Sequence, residues 1–231
     1  MKTIGLIGGM SWESSAEYYR IINQEVNRRL GAPHSAKILM DSFDFAEVDS
    51  LMRENRWLDL SEKLVRSAIR LEKAGADLIV ICTNTMHKMV NEIEKETKVP
   101  ILHIIDPTAE AAIKADIKKI GLLGTQFTME QDFIKNRLSE HFHLDVLIPE
   151  AEERRIIHQI IFQELVNGII KPESREVYRR IIQNLVNHGA QGIIFGCTEI
   201  GLLVKEEDSP VPVFDTTPLH ALAAAKAALA D

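Results

Sequence analysis

The residues best suited to chemistry are the two cysteines, Cys82 and Cys197, and the polar groups that follow each of them. Cys197 stands in GAQGIIFGCTEIG, Gly189 to Gly201, where it ends an apolar run after a glycine and precedes Thr198 and Glu199. The pattern predicts a thiol at a helix N-terminus, a setting that draws a cysteine pKa down toward ~7 or below. An earlier stretch, GADLIVICTNTMH from Gly75 to His87, reads as its copy. A constant offset of 114 carries Gly75 onto Gly189, Ala76 onto Ala190, Ile79 onto Ile193 and Thr83 onto Cys197. The two cysteines therefore do not superpose. Cys82 falls opposite Gly196 and, after four aliphatic residues, reads as a buried strand residue. Thr83, Asn84 and Thr85 are the groups that its strand delivers.

Other candidates weigh less. Gly5 to Gly9 does not make the GxGxxG dinucleotide pattern. His141 and His143 lack a nearby carboxylate partner, so no metal site is expected. Thr125 and Thr128 can cap a helix, and His87 reads as a solvent-facing or capping residue. The formal charge of −7, with basic residues scattered among acids, gives no surface for nucleic acid. No apolar run reaches a membrane-spanning length and the first residues do not form a signal-peptide core, so the chain is expected in the cytoplasm, its thiols free.

The elements that would position these groups are α/β. Strands are expected at Lys2–Ile7, Ala36–Met40, Asp77–Cys82, Pro100–Ile104 and Lys119–Leu123. Helices are expected at Ala16–Leu30, Trp57–Ala74, Glu150–Asn167, Pro172–His188 and Pro218–Ala230. A polar connection is expected around Asp41, Asp44 and Asp49. Ile4 falls on Ile120 at an offset of 116, and VPI at Val99 recurs as VPV at Val211 at an offset of 112. Three ordered matches predict two pseudosymmetric α/β domains, each a mainly parallel sheet flanked by helices. The first covers 1–116, with a C-terminal helix over 216–231 packed on it; the second covers 117–231. Ligands of such sheets bind beyond the carboxyl ends of the strands. Gly8 to Ser11, Thr83 to Thr85, Gly124 to Thr128 and Cys197 to Glu199 occupy those ends, and an active-site cleft between the domains would set Thr83 and Cys197 on opposite walls. Such a cleft suits a small carboxylate.

GCTEI at Gly196, TNTMH at Thr83, GGMSWES at Gly8 and GTQFTMEQDF at Gly124 together resemble the aspartate/glutamate racemase family. The resemblance runs over the whole chain. It implies a cofactor-independent isomerase acting on a small amino-acid substrate, a homodimer, and two cysteines on opposite faces of the substrate Cα. Inversion needs proton removal from one face and delivery to the other. Here the family's first cysteine is replaced by Thr83. The resemblance then implies Cys197 as the base on the L-face and Thr83 as the opposite-face donor. Asn84, Thr85 and Thr198 match positions that hold the carboxylate and amino group; the Thr125 turn adds donors, and Met10 lines the pocket. Arg53 is a candidate for the distal carboxylate, with a solvated helix arginine as the alternative. Glu199 could orient Cys197, bind the amino group or cap a helix. A decarboxylase using the second-half cysteine alone, or a non-catalytic amino-acid sensor, are the competing readings.

Overall fold

The computed structural model describes residues 1–230, which form two compact units, one from 1–104 with 217–230 and the other from 105–216. The first unit runs β1 (Ile4–Gly8), α1 (Trp12–Leu30), β2 (Ile38–Ser42), α2 (Phe45–Arg53), α3 (Trp57–Lys73), β3 (Leu78–Ile81), α4 (Val90–Glu96) and β4 (Ile101–Leu102). Its four strands are parallel in the order β2-β1-β3-β4. The central strands β1 and β3 are buried along their whole length, as continuous aliphatic runs covered on both faces must be. Helix α1 starts earlier than expected because Ser11 caps it, its side-chain oxygen accepting the Ser14 N–H. Helix α2 falls where a polar connection was expected. Asp44 caps it by accepting from the Ala46 N–H at 3.0 Å, and Val48, Leu51 and Met52 supply a buried face. Helix α3 buries Leu60, Leu64, Ala68 and Leu71, and Gly75 follows it at φ +93°, the backbone region that glycine adopts without strain.

The second unit runs α5 (Ile105–Lys114), β5 (Lys119–Gly124), α6 (Gln126–Glu130), α7 (Asp132–Asn136), β6 (Asp145–Leu147), α8 (Ala151–Gln163), α9 (Pro172–Asn187), β7 (Gly192–Gly196), α10 (Ile200–Leu203) and β8 (Val213–Asp215). Its sheet repeats the first as β6-β5-β7-β8, again parallel. Registers agree as well. Gly5 pairs Ile79, which pairs Ile101; Gly121 pairs Ile193, which pairs Val213. Those residues are related by the offsets 116, 114 and 112 read from the repeat. Helix α8 stops at Gln163, short of the expected Asn167, and the chain tightens into a 3-10 turn over Leu165–Asn167.

Helix α11 (Thr216–Leu229) then returns to the first unit. Its Ala221, Ala224, Ala225 and Ala228 are fully buried among Ile4, Leu6, Tyr18, Leu78, Val80 and Cys82. Four small side chains let the helix lie close on the sheet, and each aliphatic side chain it covers is worth about 1.5–3 kcal/mol. Conversely, α5 follows β4 but belongs to the second unit.

Candidate functional site

In the second unit, β7 ends at Gly196 beside Gly124 of β5. A Cβ on Gly124 would meet the Gly196 carbonyl oxygen at 2.9 Å, and one on Gly196 would meet that of Leu123 at 2.9 Å. Two bare backbones thus bring the turn after β5 against Cys197. Cys197 is 9 % exposed. Its Sγ–H donates to Glu199 Oε2 at 3.0 Å, and Thr198 Oγ1 donates to the same oxygen at 2.6 Å. Glu199 is buried, its side chain caps no helix, and its Oε2 holds the Cys197 and Thr198 protons together. Thr125 caps α6, accepting from the Thr128 N–H at 3.3 Å with its hydroxyl 3.2 Å from that of Thr128.

The expected depression of the Cys197 pKa is overturned. Burial pushes this thiol well above its ordinary value, the facing Glu199 carboxylate pushes it further, a Glu199 backbone N–H pulls back, and Asp215 adds to the rise. Helix α10 has only four residues, too short for a dipole to offset these effects. Asp215, which no local motif marks, lies at the end of β8. A Cβ on Gly201 would collide with its Oδ2, so the glycine makes room for a second carboxylate near the thiol. The arrangement is a thiol whose proton points at a buried carboxylate, a geometry in which a proton can pass between sulfur and oxygen.

In the first unit, Thr83, Asn84 and Thr85 follow β3, with Asn84 and Thr85 buried and Thr83 half-buried. The turn is held from three sides. Ser14 Oγ donates to the Cys82 carbonyl at 2.8 Å. His87 lies in the 3-10 turn Thr85–Met89, and its Nε2 accepts the Ile104 N–H at 3.1 Å. Its Nδ1 must then carry the proton in the neutral ring, and it donates to the Thr83 carbonyl at 2.8 Å. His87 is therefore buried, not solvent-facing; only its tertiary partners reveal this. His103 and His220 rings lie 4.7 and 5.7 Å from it. Met10 is buried after Gly9 at the end of β1, where a Cβ on Gly9 would collide with the Phe43 carbonyl oxygen.

One expected residue, Arg53, is not drawn into these centres, and Cys82 is the buried strand residue that was expected. Arg53 ends α2 with its side chain 75 % exposed and bound to Asp49 one turn back at 2.7 Å, which is the solvated helix arginine. Cys82 is fully buried in the core with Ala221, and burial alone pushes its thiol far up. Among the described residues no group of three or more His, Cys, Asp or Glu could hold a metal ion, and no helix is long and apolar enough to cross a membrane.

Residues 7–224 match the family profile described as Asp/Glu/Hydantoin racemase. The chain is 52 % identical to a crystal structure from Yersinia pestis assigned provisionally as an Asp/Glu racemase, with a TM-score of 0.94 over 100 % of both chains. A structure of an aspartate racemase homologue from Pyrococcus horikoshii is 35 % identical, with a TM-score of 0.83 over 99 % of each chain. The broad specificity amino-acid racemase of Bacillus subtilis is 26 % identical over 69 % of this chain and 68 % of its own length. A glutamate racemase from Exiguobacterium sibiricum is 28 % identical over 57 % of this chain, a match spanning only 47 % of that enzyme.

Proposed function

The chain belongs to the Asp/Glu/Hydantoin racemase family, and from that premise we propose that it racemises an amino acid, aspartate or glutamate by preference, without a cofactor. The observation that carries this reading is the Cys197–Glu199 hydrogen bond at the end of β7. Glu199 takes the thiol proton; the sulfur then takes the Cα proton from the L-enantiomer, and the Thr83 hydroxyl gives its proton to the opposite face and recovers one from water. The proton left on the Cys197–Glu199 pair returns to solvent. The reading requires Thr83 and Cys197 to address one Cα. A Cα–H is a very weak acid, so Asn84, Thr85, Thr125 and Thr198 serve as donors to the substrate carboxylate as negative charge builds there, and Met10 lines the pocket. Arg53, exposed and occupied by Asp49, has no part in it.

Enantiomers have equal free energy, so kcat/KM must be the same in both directions whatever the asymmetry of the two groups. Proton NMR in heavy water tests the proposal: the α-proton signal of L-aspartate or L-glutamate should fade with wild-type protein and persist with Cys197→Ala. No exchange from any amino acid of a broad panel, or undiminished exchange in the alanine variant, would defeat it. Release of carbon dioxide from an arylmalonate instead would support the decarboxylase. The proposal includes a cytoplasmic homodimer, which light scattering on the purified protein checks as to assembly.

A further inference from the structure

Tyr178 lies on α9 and packs in the same buried cluster as Cys197, Ile200 and Leu203. The residue is 0 % exposed, and its buried hydroxyl has no hydrogen-bond partner. A phenol oxygen left in that state destabilises a protein relative to phenylalanine, so its presence needs a reason. The repeat supplies a control. Gly75 and Gly189 follow α3 and α9 with matching backbone, φ +93° and +97°, and the 114 offset sets Tyr178 on Leu64, which is just as buried. Neighbouring turns correspond too: Leu60 with Ser174, Ala68 with Ile182 and Leu71 with Leu185, all buried. Bulk alone satisfies this position in the first half. The hydroxyl occurs in the half that carries the thiol.

The surroundings make it a lasting donor. Burial, then the Cys197 sulfur when ionised and the Glu199 and Glu164 carboxylates, keep the phenol protonated well above its ordinary range. We propose that Tyr178 is a positioning residue of this centre, whose O–H turns to the Cys197–Glu199 pair when the thiol proton has moved and holds the anion there. Only the kinetic arm of the test rests on the racemase reading.

The experiment compares wild type with Tyr178→Phe, using iodoacetamide alkylation of Cys197 followed peptide by peptide across pH. Loss of a hydrogen bond to a charged group should displace the profile upward by about one pH unit, making alkylation roughly tenfold slower at pH 8. Tyr178→Leu, which copies the first half, should be displaced in the same direction. In the kinetic arm, α-proton exchange from L-aspartate should lose about tenfold in kcat with KM unchanged, its acid-limb pKa moving up with the alkylation profile. Because the hydroxyl is unpaired at rest, the phenylalanine protein should melt at or above the wild-type temperature. Superposing alkylation or kinetic pH profiles would overturn the assignment, as would a lower melting temperature, which would mean a bond already made at rest. If the profile shifts while wild type exchanges no α-proton, the racemase proposal falls and the role of Tyr178 stands; the reverse result sinks the inference alone.

Discussion

The two sheets share strand order, register and strand-end turns, yet the groups behind those turns have opposite character. Behind Thr83 stand imidazoles: His87, His103 and His220, with His220 Nε2 bonded to the Leu102 carbonyl at 2.8 Å and its Nδ1 2.8 Å from the Tyr18 hydroxyl. Behind Cys197 stand carboxylates, Glu199 and Asp215. The repeat shows how the exchange was made. His87 falls on Gly201 and His103 on Asp215, so where one half fills the space with a ring, the other leaves a gap that the Asp215 carboxylate occupies. The same strand-end backbone thus carries imidazoles behind it in one half and carboxylates behind it in the other.

The comparison breaks most sharply at the thiol. Replacing Cys197 by alanine should cost on the order of 10³-fold in α-proton exchange from the L-enantiomer, read by NMR in heavy water; a loss under tenfold would erase the distinction between the halves. Glu199→Gln should give a split result. The Cys197 alkylation midpoint should fall, because a charge that raises the thiol is gone, yet stay above that of a free thiol, because burial is the largest cause and remains. Racemisation should nevertheless drop roughly 10²-fold, as the proton acceptor is lost. A thiol that ionises more easily in a slower enzyme separates a base from a spectator. Thr83→Cys, which makes the strand ends alike, should raise kcat/KM about tenfold, equally from either enantiomer. Ala225→Leu should destabilise by about 1–3 kcal/mol through overpacking of α11 on the first sheet, lowering Tm by about 2–4 °C per kcal/mol. Cys82→Ala should leave kcat/KM within about twofold; a larger loss would return Cys82 to the site.

The repeat is legible in the sequence because parallel buried strands are written as apolar runs bounded by glycine, and register follows from the offsets. Those offsets set Thr83 opposite Cys197 in the repeat without any tertiary information. Helix α2 is hidden by Asp44, Glu47, Asp49 and Arg53, whose charges mask the spacing of Val48, Leu51 and Met52. The acidity of Cys197 escapes a short motif, which gives the neighbours of the thiol along the chain but not how deeply it is buried or that one of those neighbours is an acceptor. His87, Asp215 and Tyr178 owe their significance to groups far away in sequence, so nothing local could mark them. The offset does point to Tyr178, as the polar residue opposite Leu64.

The path of α11 also constrains how the protein can be made. The first unit is covered by a 14-residue helix that leaves the ribosome only after the whole second unit has been synthesised. Until then β1 and β3 lack one of their covering layers, with Ile4, Leu6, Leu78 and Val80 open to any apolar surface nearby. The second unit, drawing α5 from just upstream, has every element in hand earlier. Folding during translation must therefore finish in the reverse of the order in which the two sheets begin, and the nascent first sheet is the stage a chaperone would guard.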